Sequence, residues 1–170
     1  YMGKISIRKA FERSVNVIAI KLNDLIGPDK TVSIAKKLGI KSALKPILSL
    51  PLGANEVNML ELTSAYGTLA TYGKRVENRS ILRIQDREGT PLYESNYNPV
   101  KIYESNKIAA LIEMMKGIVD YGTGKNAKLP RPVAGKTGTT SDYRDAWFVG
   151  FVPQLVCATW IGNDDNPPTY

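Results

Sequence analysis

Lys136, Thr137 and Thr139, with Gly138 between the two hydroxyls, are the side chains of this 170-residue chain best suited to binding chemistry. They lie in Val133-Ala134-Gly135-Lys136-Thr137-Gly138-Thr139-Thr140, where β-branched residues favour a strand and two glycines weaken it. Glycine inside a strand often marks the close approach of a ligand or of another backbone. Strand periodicity puts Thr137 and Thr139 on one face, and Gly138 leaves the main chain bare between them. A cation, two hydroxyls and open backbone suit the carboxylate end of an extended peptide, which pairs with a strand edge while its charge meets the ammonium. Strict alternation sets Lys136 opposite Thr137, so one shared pocket requires the long lysine stem or strand twist.

The chain contains no histidine, which excludes Ser-His-Asp and Cys-His sites and ordinary histidine-based metal sites. No metal or cofactor is expected, and acid-base work must come from other groups. Cys157, the single cysteine, falls in an apolar run at 155–161 and is expected as a small buried hydrophobe, not a reactive thiol. The net charge of +7 is carried by scattered lysines with no basic block, which reads as a solvated basic surface and not as a nucleic-acid site. With 43% hydrophobic and 23% charged residues the chain is expected to form one globular domain with a sizeable core. No stretch reaches the apolar length of a membrane span. The start at Tyr1-Met2-Gly3 looks neither like a signal peptide nor like a natural beginning, so a piece of a longer protein is expected.

The elements that must position the site follow from periodicity and punctuation. Ser6 is placed to cap a short helix running to about Arg13, with Ala10 and Phe11 as its apolar side. After Ser14-Val15-Asn16, the spacing of Ile18, Leu22, Leu25 and Ile26 predicts a helix stopped by Gly27-Pro28. Asp29 is expected to cap the next helix, with Val32, Ala35 and Leu38 as its stripe and Gly39 as its stop. Residues 40–55 read as an ordered connection. Asn58 and Glu61 have capping-box spacing ahead of Met59, Leu62, Tyr66 and Leu69. Residues 81–93 read as an exposed hairpin around Asp86-Arg87-Glu88-Gly89. From Ser105, the positions of Ile108, Leu111, Ile112, Met115 and Val119 mark the clearest amphipathic helix. The Lys136 strand, the run 146–152 and the run 155–162 are joined by short connections and so predict an antiparallel sheet. Their unbroken apolar character predicts helices on both faces, with one edge of the Lys136 strand free.

The order of motifs carries a resemblance. Ser14-x-Asn16 between two helices, then Lys136-Thr-Gly-Thr on a strand, then Asp145-Ala-Trp-Phe-Val-Gly150 together resemble the transpeptidase domain of penicillin-binding proteins, in particular the bifunctional class A cell-wall synthases. The resemblance extends to Leu52-Gly-Ala-Asn-Glu-Val, Glu61-Leu-Thr-Ser-Ala-Tyr66, Gly122-Thr-Gly124 and Trp160-Ile-Gly-Asn-Asp. It implies an α/β fold of the α+β kind, an antiparallel sheet covered by helices. It also implies a D,D-transpeptidase in which a serine attacks a D-Ala-D-Ala stem peptide of peptidoglycan and an amine of another strand receives the acyl group. Penicillin and other β-lactams would acylate the same serine. By the same resemblance Lys136, Thr137 and Thr139 hold the donor carboxylate, and the Thr139 N–H forms half of an oxyanion hole. Ser14 relays a proton to the leaving amine, while Asn16 binds the donor's amide and orients the general base.

The family's nucleophile stands in an S-x-x-K motif well upstream of Ser-x-Asn, and only thirteen residues precede Ser14. Ser6 to Lys9, Ser33 to Lys36 and Ser42 to Lys45 match the string but fall too near Ser14 or after it, so no nucleophile is assigned within the chain. Residues 1–170 are therefore expected to form the C-terminal half of a transpeptidase domain, lacking the nucleophile segment and a closing helix. The missing N-terminal half would be its partner. The parent would be membrane-anchored outside the cytoplasmic membrane and would carry a glycosyltransferase. Two alternatives stand beside this reading: a serine β-lactamase-like hydrolase and a non-catalytic peptide-binding module.

Overall fold

A computed structural model describes residues 3–169; Tyr1, Met2 and Tyr170, on which the readings of the chain's start and finish partly rest, lie outside it. Ser6 caps α1 (Ile7–Glu12) by accepting the Lys9 N–H at 3.2 Å, so this S-x-x-K serine is engaged in starting a helix. α1 ends with the Val15 N–H donating to the Ala10 carbonyl and the Ser14 N–H to that of Phe11. That paired ending requires a left-handed residue between them, and Ser14 supplies it at φ 52°. α2 (Asn16–Ile26) follows, and Gly27 at φ 90° turns the chain into α3 (Pro28–Leu38). Pro28 takes the first helical position, where its missing N–H is no loss. Asp29, expected as the cap, therefore lies one step inside the helix, in the first turn.

The connection at 40–57 contains one 3-10 turn, Leu50–Leu52, and is held by side-chain hydrogen bonds, chiefly from Asn23 and Glu61. Asn23 is 2% exposed. Its Nδ2 donates to the Ile47 and Leu48 carbonyls, and its Oδ1 accepts the Thr31 hydroxyl at 2.6 Å. A buried amide with its polar atoms bonded fixes a segment that has no ladder of its own. Asn58 caps α4 (Met59–Ala70) through the Leu60 N–H. Glu61 does not complete the expected capping box. Its Oε2 accepts from the N–H groups of Lys41 and Ser42 and from the Ser42 hydroxyl, while the Ser42 oxygen takes the Asn58 N–H. Three donors from the connection outweigh the single donor that the box offered.

After α4, β1 (Lys74–Arg75) opens an excursion whose centre is the expected exposed hairpin, β2 (Arg83–Gln85) against β3 (Pro91–Glu94). β4 (Val100–Lys101) returns to pair with β1. α5 (Ser105–Asp120) leads to a three-stranded antiparallel sheet in the order β5 (Ala134–Thr139), β6 (Asp145–Val152), β7 (Leu155–Gly162). Ala134, Phe151 and Val156, from three adjacent strands, join Leu69 and Ala70 of α4 and Ile108, Ile112 and Met115 of α5 in one core. Both helices thus lie on one face. The expected cover on the second face is not supplied by the described residues, where Leu155, Cys157, Thr159 and Ile161 of β7 are all exposed. Cys157 is accordingly not the buried hydrophobe its neighbours suggested. No helix among the described residues is long and apolar enough to cross a membrane.

The Ser42 N–H and hydroxyl, with the Lys41 N–H, hold the Glu61 carboxyl below its ordinary value of 4.5. A carboxyl lowered on folding stabilises the native state above its unfolded pKa and loses that contribution as pH falls through the folded one. Resistance of the wild type to urea should therefore fall as pH drops below 4.5. Glu61→Ala should show a lower midpoint at neutral pH and a shallower loss on acidification; parallel curves for the two proteins would refute this.

Candidate active site

Among the described residues β5 is an edge strand, paired with β6 on one side only. The Thr140 N–H donates to the Asp145 carbonyl, so backbone alternation turns the N–H and C=O groups of Thr137 and Thr139 away from β6 toward the open margin. Lys136 leaves the strand on the face opposite Thr137, and its half-buried stem bends back to that margin. There Nζ donates to the Thr137 carbonyl at 2.8 Å and to Ser14 Oγ at 2.7 Å. Ser14 and Lys136, 122 residues apart, are in direct contact. Burial pushes the Lys136 ammonium below its ordinary 10.5, because a cation loses hydration where no carboxylate replaces it.

Ser14 is brought to the margin by the turn after α5. The Gly122 and Gly124 N–H groups both donate to the Ile118 carbonyl, and the Thr123 N–H donates to that of Glu12, the last residue of α1. The approach is so close that a Cβ on Gly122 would fall 2.2 Å from the Glu12 carbonyl oxygen and 2.8 Å from Ile118 Cα. Packing in this way seats the α1–α2 corner against the end of α5, and α5 itself lies on β5.

Asn16 is the first residue of α2, exposed, and its side chain makes no hydrogen bond among the described residues. Thr137 is half-buried, with Oγ1 2.6 Å from Thr123 Oγ1. Gly138 and Thr139 are exposed at the end of the strand. Of the two glycines read as openings for a ligand, Gly135 is occupied by the protein: a Cβ there would lie 2.6 Å from the Phe148 ring. Gly138 stays open on its outer side, with the nearest neighbour of a Cβ being Trp147 Cβ at 3.3 Å. The site thus gathers Ser14, Lys136, Thr137 and Thr139 at one margin, with Asn16 two residues from Ser14. Ser42, from another S-x-x-K string, is bonded to Glu61.

Two contributors were not assigned roles from the sequence. Thr123 touches Thr137, and its only signal was its place in Gly122-Thr-Gly124. Asp145 accepts the Trp160 indole N–H at 2.7 Å, and its own N–H donates to Thr140 Oγ1, closing the β5–β6 connection just beyond Thr139. Asp142 and Tyr143 in that connection stand at φ 62° and 54°. Neither contact follows from a spacing rule.

An antiparallel sheet with helices packed on it and a lysine–serine pair at its edge defines a β-lactamase/transpeptidase-like fold. Residues 1–165 match the family described as penicillin binding protein transpeptidase domain, and the chain belongs to that family. It is 38% identical over 163 residues to a penicillin-binding protein 1A of Aquifex aeolicus, covering 95% of this chain and 22% of that protein. It is 36% identical over 173 residues to a penicillin-binding protein 1A of Clostridium botulinum, covering 98% of this chain and 21% of the relative. The chain therefore spans about a fifth of the length of these relatives. Among solved structures, penicillin-binding protein 1A from Haemophilus influenzae shares the fold with a TM-score of 0.87 at 24% identity, over 95% of this chain and 30% of that one. PonA1 from Mycobacterium tuberculosis in complex with penicillin V gives a TM-score of 0.87 at 24% identity, over 98% and 50% of the respective chains.

Ser14 in the left-handed region carries a steric penalty that glycine lacks, about 1–2 kcal/mol. Ser14→Gly is expected to be more stable than Ser14→Ala by about 1 kcal/mol in urea unfolding, with both losing the Lys136 contact. Equal stabilities would show that the turn is unstrained. A second expectation concerns protons. Because the folded pKa of Lys136 is lowered, its burial penalty is present in full below that folded pKa and is relieved as pH rises through it toward 10.5. After reductive ¹³C-methylation, one dimethyl-lysine NMR signal, absent from Lys136→Arg, should titrate below the other lysines; a signal titrating with the rest would count against the buried ammonium.

Proposed function

We propose that this chain supplies the carboxylate clamp and proton relay of a peptidoglycan D,D-transpeptidase, as the C-terminal half of the domain. The observation that carries the reading is the 2.7 Å contact between Lys136 Nζ and Ser14 Oγ at an unpaired strand edge. The nucleophilic serine and its lysine belong in this proposal to the preceding half of the domain, which is the chain's partner.

The roles follow from the chemistry of each group. A stem peptide ending in D-Ala-D-Ala lies along the β5 margin. Its terminal carboxylate accepts from the Lys136 ammonium and from the hydroxyls of Thr137 and Thr139. The Thr139 N–H, turned outward, donates to the carbonyl oxygen as negative charge grows on it, and the nucleophile's own N–H provides the second donor. Lys136 donates to Ser14 Oγ, and the Ser14 hydrogen passes to the leaving D-alanine amine while the general base returns to Ser14 the proton it took from the nucleophile. Asn16 holds the donor's amide. A lysine base near Lys136 would have its charged form disfavoured by the neighbouring cation, which favours proton abstraction near neutral pH. β-Lactams occupy the same cleft and acylate the same serine. The proposed parent is membrane-anchored, works on the extracytoplasmic face of a bacterial membrane and carries a glycosyltransferase.

Fluorescent penicillin labelling with mass mapping tests this. The chain alone should give no stoichiometric adduct, and addition of the preceding half of the parent should restore labelling on a serine of that half. A stoichiometric adduct on Ser6, Ser33 or Ser42 would overturn the assignment. In the full parent, Ser14→Ala should slow acylation by roughly 10²- to 10⁴-fold, the usual range for a lost proton-transfer group.

A further inference from the structure

We propose that Thr123 is a positioning residue, which directs the Thr137 hydroxyl at the substrate carboxylate and ties the two parts of the site together. The inference rests on the transpeptidase reading above and adds a residue to which that reading gives no role. Thr123 is bonded in two directions. Its N–H donates to the carbonyl of Glu12, two residues before Ser14, and its Oγ1 lies 2.6 Å from Thr137 Oγ1. One residue therefore joins the Ser14 corner to the Lys136 strand.

The surroundings hold Thr123 in place. The N–H groups on either side of it, those of Gly122 and Gly124, both end on the carbonyl of fully buried Ile118. Gly122 has no room for a side chain beside Glu12, and a Cβ on Gly124 would lie 3.2 Å from Ile118 and 3.4 Å from Phe148. Threonine's branched Cβ restricts χ1, so the hydroxyl is aimed as well as anchored.

Proton counting gives the contact a direction. A carboxylate only accepts, and each threonine hydroxyl has one hydrogen. If Thr137 donated to Thr123, only its lone pairs would face the anion. With a carboxylate bound, Thr123 must donate to Thr137 and Thr137 to the carboxylate. Thr123 Oγ1 makes no other side-chain hydrogen bond among the described residues, so its hydrogen is free for this. Hydrogen bonds arranged head to tail polarise one another, and the second is strengthened by the first.

The test uses the full-length parent and two probes, a β-lactam bearing its free carboxylate and the methyl ester of the same compound. Thr123→Val should slow acylation by the acid roughly three- to ten-fold, the size expected for one hydrogen bond. Acylation by the ester should change by less than about two-fold, since the ester presents no anion for the ordered hydroxyl. Thr123→Ser should restore the wild-type ratio of acid to ester, and Thr123→Val added to Thr137→Val should slow the acid no further. Thr123→Ala serves as a second hydroxyl-free variant if the valine variant does not fold. The proposal is overturned if the hydroxyl-free variants match the wild type, if acid and ester slow equally without rescue by serine, or if the Thr123 and Thr137 effects add. A wild-type parent that penicillin does not acylate would instead overturn the transpeptidase reading, and this inference with it.

Discussion

An ammonium buried at a sheet edge needs hydrogen-bond acceptors that carry no charge, and this site is built to supply them. Lys136 finds the Thr137 carbonyl beside it and the hydroxyl of Ser14 across 122 residues of chain. A carboxylate partner would have stabilised the cation more and would also have filled the place proposed for an anionic ligand. Leaving the charge satisfied only by neutral acceptors keeps it depressed in pKa and available. In the proposed function, binding strength for an anion and reduced stability of the empty site are thus two sides of one arrangement.

Much of the remaining fold serves to hold Ser14 within reach. α5 packs on β5 and the α1–α2 corner packs on the end of α5, so the serine and the lysine are placed by one continuous stack. Small residues make the stack tight: Gly122 admits the Glu12 carbonyl and Gly135 admits the Phe148 ring. Ser14 itself stands in a left-handed conformation, a position more often given to glycine. Serine at that position is consistent with a hydroxyl kept for chemistry at some expense of local stability.

The sheet is asymmetric in a way that bears on function. One face is closed by α4 and α5, whereas the outer face of β7 is exposed and both outer edges of the sheet are unpaired among the described residues. The β5 edge is where backbone groups turn outward beside Lys136. The relatives that this chain matches are several times its length, and Leu155 and Ile161 stand as exposed apolar residues on β7.

Local rules recovered what depends on neighbours along the chain. The 3.6-residue spacing and the glycine stops located α2 to α5, and the third strand ran over 155–162 as its apolar run indicated. The motif pair Ser14-x-Asn16 and Lys136-Thr-Gly-Thr was legible because each lies within a few residues. What the sequence did not contain was the competition among distant partners. Glu61 abandoned its capping box for the Lys41–Ser42 amides, Cys157 fell on the uncovered face, Gly135 was filled by Phe148, and Thr123 met Thr137. Residue types and their local spacing determined which groups were present and which elements carried them. Only the packing of α1 on α5 and of α5 on β5 decided which of those groups touch, because a hydrogen bond is made by whichever acceptor the folded chain brings within about 3 Å.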